Sequence, residues 1–423
     1  MKILIITFGT RGDVIPYIAM GLALKNRGHS VTLISNEYFQ TIVTRAGLDF
    51  IACGSREQFL NAFSHPDTAH AFKCLIVTGR HIILESLQPL YRLLAQFDPH
   101  QTLLISNLYA MGARLAQEKL GFPLISVCLQ PCSIWSIEQP PRLAFFPYFA
   151  EFPWLLKNSC LKLTDWLIIY PIFSPILNQF RAELKLPRIT KILSQWLPSP
   201  QLLLGLFPPW LAETASDWPR QLRLTGFMHY DETCEKELNN TVMDFIKGGE
   251  PPLVFTHGTS AMHAQYFFDE SIKAAQQLNQ RAILLTQYSH QIPTSLPNNI
   301  LHVAYLPLKI LLPHVRALIH HGGIGTATQA MHAGIPQLII PFTYDQPDNA
   351  YWLERLGVCL TMPYKEYSAT SCVILINQLL TSSTIQENCQ RYARKINFER
   401  SMQKTCETIE EFMLSTIYKP DFA

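Results

Sequence analysis

The chain has 423 residues, a formal net charge of +2 and 48% hydrophobic residues. That length exceeds one usual core, so two domains are expected. The near-neutral, scattered charge leaves no footprint for nucleic acid. Ten cysteines without a C-x-x-C pair argue for reduced thiols in a cytoplasm, not for a disulfide framework or a metal site.

The first half opens on a βαβ pattern. Met1–Thr7 is short, holds one Lys and runs into a glycine turn, so it reads as a first strand and not as an export signal. Its Ile3–Thr7 run is continuously apolar, as in a parallel strand covered on both faces. Phe8–Asp13 is predicted as a turn, with Pro16 at the helix start, where proline is tolerated. Ile15, Ile18, Ala19 and Leu22 give one apolar helical face, which Gly28 ends. Val31–Ser35, Thr102–Ser106 and Leu124–Val127 follow as strands of the same sheet, joined by right-handed crossovers. Residues 135–180 break the pattern. They are rich in Trp, Phe, Tyr and Pro and have no clean period. Two readings stay open: an irregular insertion packed on the core, or an apolar acceptor pocket or membrane-contacting lip. The most apolar window, Leu163–Leu177, holds Asp165, Pro171 and Pro175. With no run of about 18 uninterrupted apolar residues, no membrane span is predicted.

The second half repeats the grammar. Leu253–Thr256 reads as a strand, His257–Ser260 as a turn and Tyr266–Leu278 as a helix. Ala282–Thr286, Ile300–Ala304, Ala317–His320 and Gln337–Ile340 are further strands. The predicted architecture is α/β, with two doubly wound parallel-sheet domains at 1–215 and 225–395. Asp217–Trp218–Pro219 belongs to the linker, and Thr384–Met413 reads as helix. Between Leu318 and Gly357 lies the most informative stretch. Gly322, Gly323 and Gly325 make a turn in which backbone N–H groups can approach a ligand. Ile324–Ala333 carries a helix, and Gly334–Ile335–Pro336 stops it. A glycine turn opening a helix is a ready phosphate site. The loop after the next strand presents Asp345 and Gln346, whose side chains suit sugar hydroxyls.

The run His-His-Gly-Gly-Ile-Gly-Thr from His320, then Ala-Gly-Ile-Pro-Gln from Ala333 and Asp-Gln-Pro-Asp-Asn-Ala from Asp345, resembles a known signature. It is the donor-sugar motif of the GT-B glycosyltransferases that use nucleotide sugars, including glucuronosyl-, sterol glucosyl- and macrolide glycosyltransferases. Outside that motif, Tyr109–Gly121, Gln195–Gln201, Leu206–Trp210, Asp217–Pro219 and Pro252–Thr259 are most similar to the family of the bacterial rhamnosyltransferase B subunit of rhamnolipid synthesis. The resemblance implies two Rossmann-like domains facing across a cleft, the first binding acceptor and the second donor. It also implies that residues 396–423 pack back on the first domain.

Glycosyl transfer needs a base, a stabiliser for the leaving diphosphate and a grip on the sugar. Asp13 lies after the first strand, at the carboxyl edge where open α/β sheets bind ligands; burial would make it a better base. It could equally cap the following helix. Sterol glycosyltransferases are similar to this chain in Gly9-Thr-Arg-Gly-Asp13-Val-x-Pro16, and their Asp is the proposed base; many other relatives carry His there. The Asp that such relatives pair with that His is matched here by Asn107, so no dyad is expected. His321, backed by the N–H groups of Gly323, Ile324, Gly325 and Thr326, would hold the diphosphate. His320 points the opposite way on its strand and reads as structural. Thr259 and Tyr305 stand where relatives contact phosphates and base; Tyr305 could also be a core residue. Asp345 and Gln346 would hold the sugar.

The expected activity is inverting, metal-independent transfer of glucose or rhamnose from a UDP- or dTDP-sugar to a hydroxyl of a lipid, sterol or polyketide. No cofactor or metal is expected beyond the nucleotide-sugar co-substrate; no Asp-x-Asp pair is offered. The expected setting is the cytoplasm, with peripheral contact at the inner membrane face as one outcome of the apolar lip. A non-catalytic nucleotide-sugar-binding subunit and a GT-B epimerase remain as alternatives. A dinucleotide oxidoreductase is disfavoured because Phe8–Gly12 lacks the G-x-G-x-x-G turn.

Overall fold

A computed structural model describes residues 2–143, 147–230, 238–258 and 264–416. The chain divides into two compact units, Met1–Tyr230 with Phe398–Ala423, and Asp231–Asn397.

The first unit is built on seven strands: β1 (Lys2–Ile6), β2 (Ser30–Ser35), β3 (Asp49–Ala52), β4 (Thr102–Asn107), β5 (Leu124–Cys128), β6 (Leu202–Gly205) and β7 (Leu222–Leu224). Their order is β3-β2-β1-β4-β5-β6-β7, and every pairing is parallel. Ile3, Leu4, Ile5 and Ile6 have no exposed surface, as a strand with helices on both faces requires. The order reverses between β1 and β4, and that switch point opens a crevice beyond the strand ends.

The second unit has six: β8 (Leu253–Thr256), β9 (Ala282–Leu285), β10 (Ile300–Val303), β11 (Ala317–His320), β12 (Gln337–Ile339) and β13 (Cys359–Thr361). Their order is β10-β9-β8-β11-β12-β13, again all parallel. Here the switch lies between β8 and β11. The fold class is therefore two Rossmann-like, doubly wound sheets.

The helix Phe398–Thr416 belongs to the first unit. Cys406, Ile409 and Met413 join the core beside Val14, Ile18 and Leu24. Arg27 grips Glu410 through Nε at 2.8 Å and Nη2 at 2.6 Å, which lowers the Glu410 pKa to about 2.

Four expectations change. The first helix starts at Arg11, not near Pro16, because Thr10 and Asp13 cap it there. Pro16 thus lies inside the helix, and Gly12, whose carbonyl loses its helical partner to the proline, is exposed to water. The stretch expected as one helix from Thr384 to Met413 is two, Ser383–Ala393 and Phe398–Thr416. Strands β3, β6, β7 and β13 were not anticipated; β3, β7 and β13 are short strands at or beside a sheet edge. Most of the aromatic stretch is helical. Trp154–Thr164, a π turn at Asp165–Ile169 and Tyr170–Glu183 run on as 30 continuous residues. Length and composition alone would let that helix cross a membrane, but its buried second half bears on whether it does.

Candidate active site

In the first unit the switch-point strands carry Asp13 and Asn107. Asp13 is the third residue of helix Arg11–Asn26. Its Oδ2 accepts the N–H of Thr10 at 2.7 Å and the Thr10 hydroxyl at 3.0 Å, so the carboxylate closes one half of a capping box. Both bonds fall on one oxygen, which leaves Oδ1 to take a proton. A Cβ on Gly9, where φ is +136°, would come within 2.4 Å of Oδ2; only glycine lets the carboxylate seat there. The side chain keeps partial exposure. Burial nonetheless raises its pKa, and the Thr10 bonds pull the other way.

Asp13, Tyr17, Asn107, Tyr109, Cys128 and Gln130 line a recess at this edge. Asn107 ends β4 and gives its Nδ2 proton to the Phe8 carbonyl at 2.6 Å. That bond fixes the amide, and its Oδ1 is buried without a hydrogen-bond partner. An Asn here supplies an acceptor oxygen and no charge.

In the second unit, helix Ile324–Ala333 begins at Gly323, whose missing side chain cannot cap it. The N–H groups of Ile324, Gly325 and Thr326 therefore stand in the first turn without an intrahelical partner, and the helix dipole favours an anion there. A Cβ on Gly325 would meet nothing within 4 Å, so the protein leaves open space above it. His321 packs into that turn. Cβ atoms on Gly258 or Gly323 would come within 2.8 and 2.5 Å of its ring; these glycines make room for the imidazole. Its Nδ1 is buried and unpartnered. Burial first, then His320 and His257, lower its pKa well below the usual value. The ring is a neutral donor-acceptor, not a standing cation.

His320, one residue earlier, is wholly buried. Its Nδ1 accepts the Gly322 N–H at 3.1 Å, so Nε2 carries the proton and donates to Gln337 Oε1 at 2.9 Å. It holds the turn to β12.

The remaining candidates sort differently. Thr259 lies outside the described residues. Tyr305 follows edge strand β10 and is 45% exposed, so it is not a core residue. Asp345 sits at the N-terminal end of helix Gln346–Arg355 but does not cap it with its side chain; its Oδ2 accepts Asn349 Nδ2 at 2.6 Å. Gln346 Oε1 takes the N–H groups of Phe342 and Thr343 at 2.9 and 3.0 Å, so its amide nitrogen is the group left for a sugar hydroxyl.

Two residues carry more than the sequence indicated. Asn349 also donates to the Gly322 carbonyl at 3.0 Å, tying the sugar loop to the glycine turn. His257, directly after β8, stacks on His321 at 6.2 Å between centroids. Both its ring nitrogens are buried without partners. The motif marks Asn349 only as a letter, and nothing local marks His257. Among the described residues, no group of three His, Cys, Asp or Glu is placed to hold a metal ion.

The two buried imidazoles give a pH signature. Burial lowers both His257 and His320 to about 4, while the unfolded chain titrates near ~6.5. Between those values the unfolded state binds more protons, so stability rises with pH across that window and falls as pH drops through it. Each histidine contributes up to about 3 kcal/mol, and Tm followed from pH 4 to 7 should climb accordingly. A flat profile would mean that both rings titrate in the folded state as they do in the unfolded chain.

Comparison with known proteins places this geometry. Residues 3–128 match the glycosyltransferase family 28 N-terminal domain, and residues 270–412 match the erythromycin biosynthesis protein CIII-like C-terminal domain. The chain is 25% identical to the O-mycaminosyltylonolide 6-deoxyallosyltransferase of Streptomyces fradiae, over 97% of each chain. It is 26% identical to a sterol 3-beta-glucosyltransferase of Arabidopsis thaliana, over 84% of this chain and 58% of that longer one. In fold it is similar to the glycosyltransferase of kitacinnamycin, with a TM-score of 0.74, 18% identity and 97% and 98% coverage of the two chains. It is likewise similar to the spinosyn rhamnosyltransferase complexed with thymidine diphosphate, with a TM-score of 0.66, 17% identity and 96% and 100% coverage.

Proposed function

The chain is a glycosyltransferase of the GT-B fold, and we propose that it moves glucose or rhamnose from a UDP- or dTDP-sugar to a hydroxyl of a hydrophobic acceptor, with inversion and without a metal. One observation carries the reading: a neutral His321, its Nδ1 buried without a partner, heads a glycine turn whose helix N-terminus no side chain caps. These groups would take the diphosphate as charge develops on it, the role a metal fills elsewhere. Asp13 would accept the acceptor proton as the hydroxyl attacks the anomeric carbon. Attack opposite the departing diphosphate, in one displacement, inverts that centre. Gln346 and Asp345, pinned by Asn349, would orient the sugar.

The acceptor class is drawn from the neighbours of Asp13. The recess beside Asp13 is small and is lined by Tyr17, Leu108, Val127 and Leu129 as well as by polar groups, so an acceptor hydroxyl would meet the carboxylate among apolar neighbours. Relatives named for sterol and macrolide substrates support the same class. The nucleotide reading is supported by a neighbour solved with thymidine diphosphate.

The test is turnover in EDTA with UDP-glucose and dTDP-rhamnose, each offered fatty-acyl, sterol, polyketide and small sugar acceptors. Transfer to an apolar acceptor should persist under chelation. Loss of turnover restored by Mg²⁺ would overturn metal independence, and preference for polar sugars would overturn the acceptor class. Donor binding without turnover on any acceptor would favour a binding subunit. Donor consumed without acceptor would favour an epimerase.

A further inference from the structure

Helix Trp154–Glu183 turns its apolar side outward. Leu155, Leu156, Leu163, Trp166 and Leu167 recur at helical spacing, and all are at least half exposed, Leu155 at 71% and Trp166 at 67%. A helix on a domain surface normally sends such a stripe inward. Here only Leu161 of Trp154–Thr164 is buried, and no residue of the π turn is. A contiguous exposed patch of this kind marks an interaction surface.

The helix's second half is anchored. Phe173, Leu177 and Phe180 are buried. Arg181 is 2% exposed and held by both Glu118 oxygens at 2.6 and 2.8 Å and by the Pro187 carbonyl at 2.7 Å. Trp196 Nε1 donates to the same Glu118 at 2.9 Å. Crossing a bilayer would strip this buried pair, leaving charges in hydrocarbon. The helix can lie on a membrane but not span one.

Its charges select the surface. Lys162 is exposed on the helix, Lys157 turns back to the Glu138 carbonyl at 3.4 Å, and the exposed Arg188 and Lys191 follow the helix. Arg188 bonds the Tyr170 hydroxyl at the helix's midpoint. Of the acidic groups, Glu151 precedes the helix and Glu183 lies at its anchored end, away from the stripe. Asp165, in the π turn, has its pKa raised by burial, with Lys191 opposing. Trp154 and Trp166 have the amphipathic rings that settle at headgroup level.

We propose that the Trp154–Leu167 face is an interfacial anchor lying in the headgroup boundary of an anionic lipid bilayer, with Lys162 and Lys191 meeting lipid phosphates. Buried apolar area and attraction to anionic lipid act together in such anchors. The inference is independent of the proposed activity, because its test needs no sugar donor.

The full chain is sedimented with vesicles of phosphatidylcholine alone and of an equal mixture with phosphatidylglycerol. The wild type should pellet with the mixed vesicles, with a blue shift of tryptophan emission that salt weakens. A triple variant, Leu155→Ser, Leu163→Ser and Trp166→Ser, should fold normally, because those side chains are exposed, and should partition at least about tenfold less. Wild type left in the supernatant, or a variant that pellets equally, overturns the proposal. So does a wild-type dimer in ultracentrifugation that the variant abolishes without any vesicle binding; a second copy would then cover this face.

Discussion

Asp13→Asn lowers kcat by about 10²–10⁴, the worth of a positioned base, and leaves donor affinity unchanged. The expectation follows from how the carboxylate is divided. Oδ2 is committed to Thr10, through the backbone at 2.7 Å and the hydroxyl at 3.0 Å. An Asn can accept the backbone bond with its own carbonyl oxygen, so the helix start survives. What it loses is Oδ1 as a proton acceptor. Burial raises the Asp13 pKa, so the acid limb of kcat/KM in the wild type should lie above the ordinary carboxylate range. The measurement is steady-state kinetics with Tm as control. Near-normal kcat in a folded variant would move the base elsewhere, and an unfolded variant would mean that Asp13 serves the cap alone.

The geometry around that residue was legible where local punctuation decides structure. Gly322–Gly325 and Gly334 bracket helix Ile324–Ala333 with the same limits in sequence and structure, because glycine and proline act locally. The start of helix Arg11–Asn26 was misplaced because a cap outranks a proline that only tolerates helix. Helix Trp154–Glu183 was hidden for a different reason. Periodicity reading assumes that the apolar face points to the core, and here it points to solvent. His257 could not be found at all. It reaches His321 only because β8 and β11 pair across 64 residues of chain, Thr256 opposite His320.

The two units make comparable use of one rule. Each puts its polar groups after the two central strands where the strand order reverses, Asp13 and Asn107 in one, His257 and His321 in the other. Parallel strands aim their carboxyl ends at one edge, and the crossover helices part there. Chemistry at both edges therefore comes from residues just past or ending a strand, and its burial comes from the strands themselves. That burial keeps His321 neutral and raises Asp13.

His321→Ala weakens binding of UDP or dTDP by about 1.5–3 kcal/mol, the value of a hydrogen bond to a charged group, or roughly 10- to 150-fold. The ring packs against Gly258 and Gly323, where Cβ atoms would come within 2.8 and 2.5 Å of it, and its buried Nδ1 has no protein partner, so a ligand contact is open to it. Loss of packing alone would change Tm and leave nucleotide affinity and its pH dependence as they were. Loss of a diphosphate contact changes that affinity and its pH dependence. With no ligand the His321 pKa lies well below its usual value; a diphosphate beside it stabilises the cation and raises it. Binding then takes up a proton between the two values, so wild-type affinity strengthens as pH falls into that window, and the variant's dependence flattens. Calorimetry at several pH values reads both effects. A folded variant with unchanged affinity for both nucleotides would remove His321 from the donor site, and the uncapped helix N-terminus would then hold the diphosphate without it.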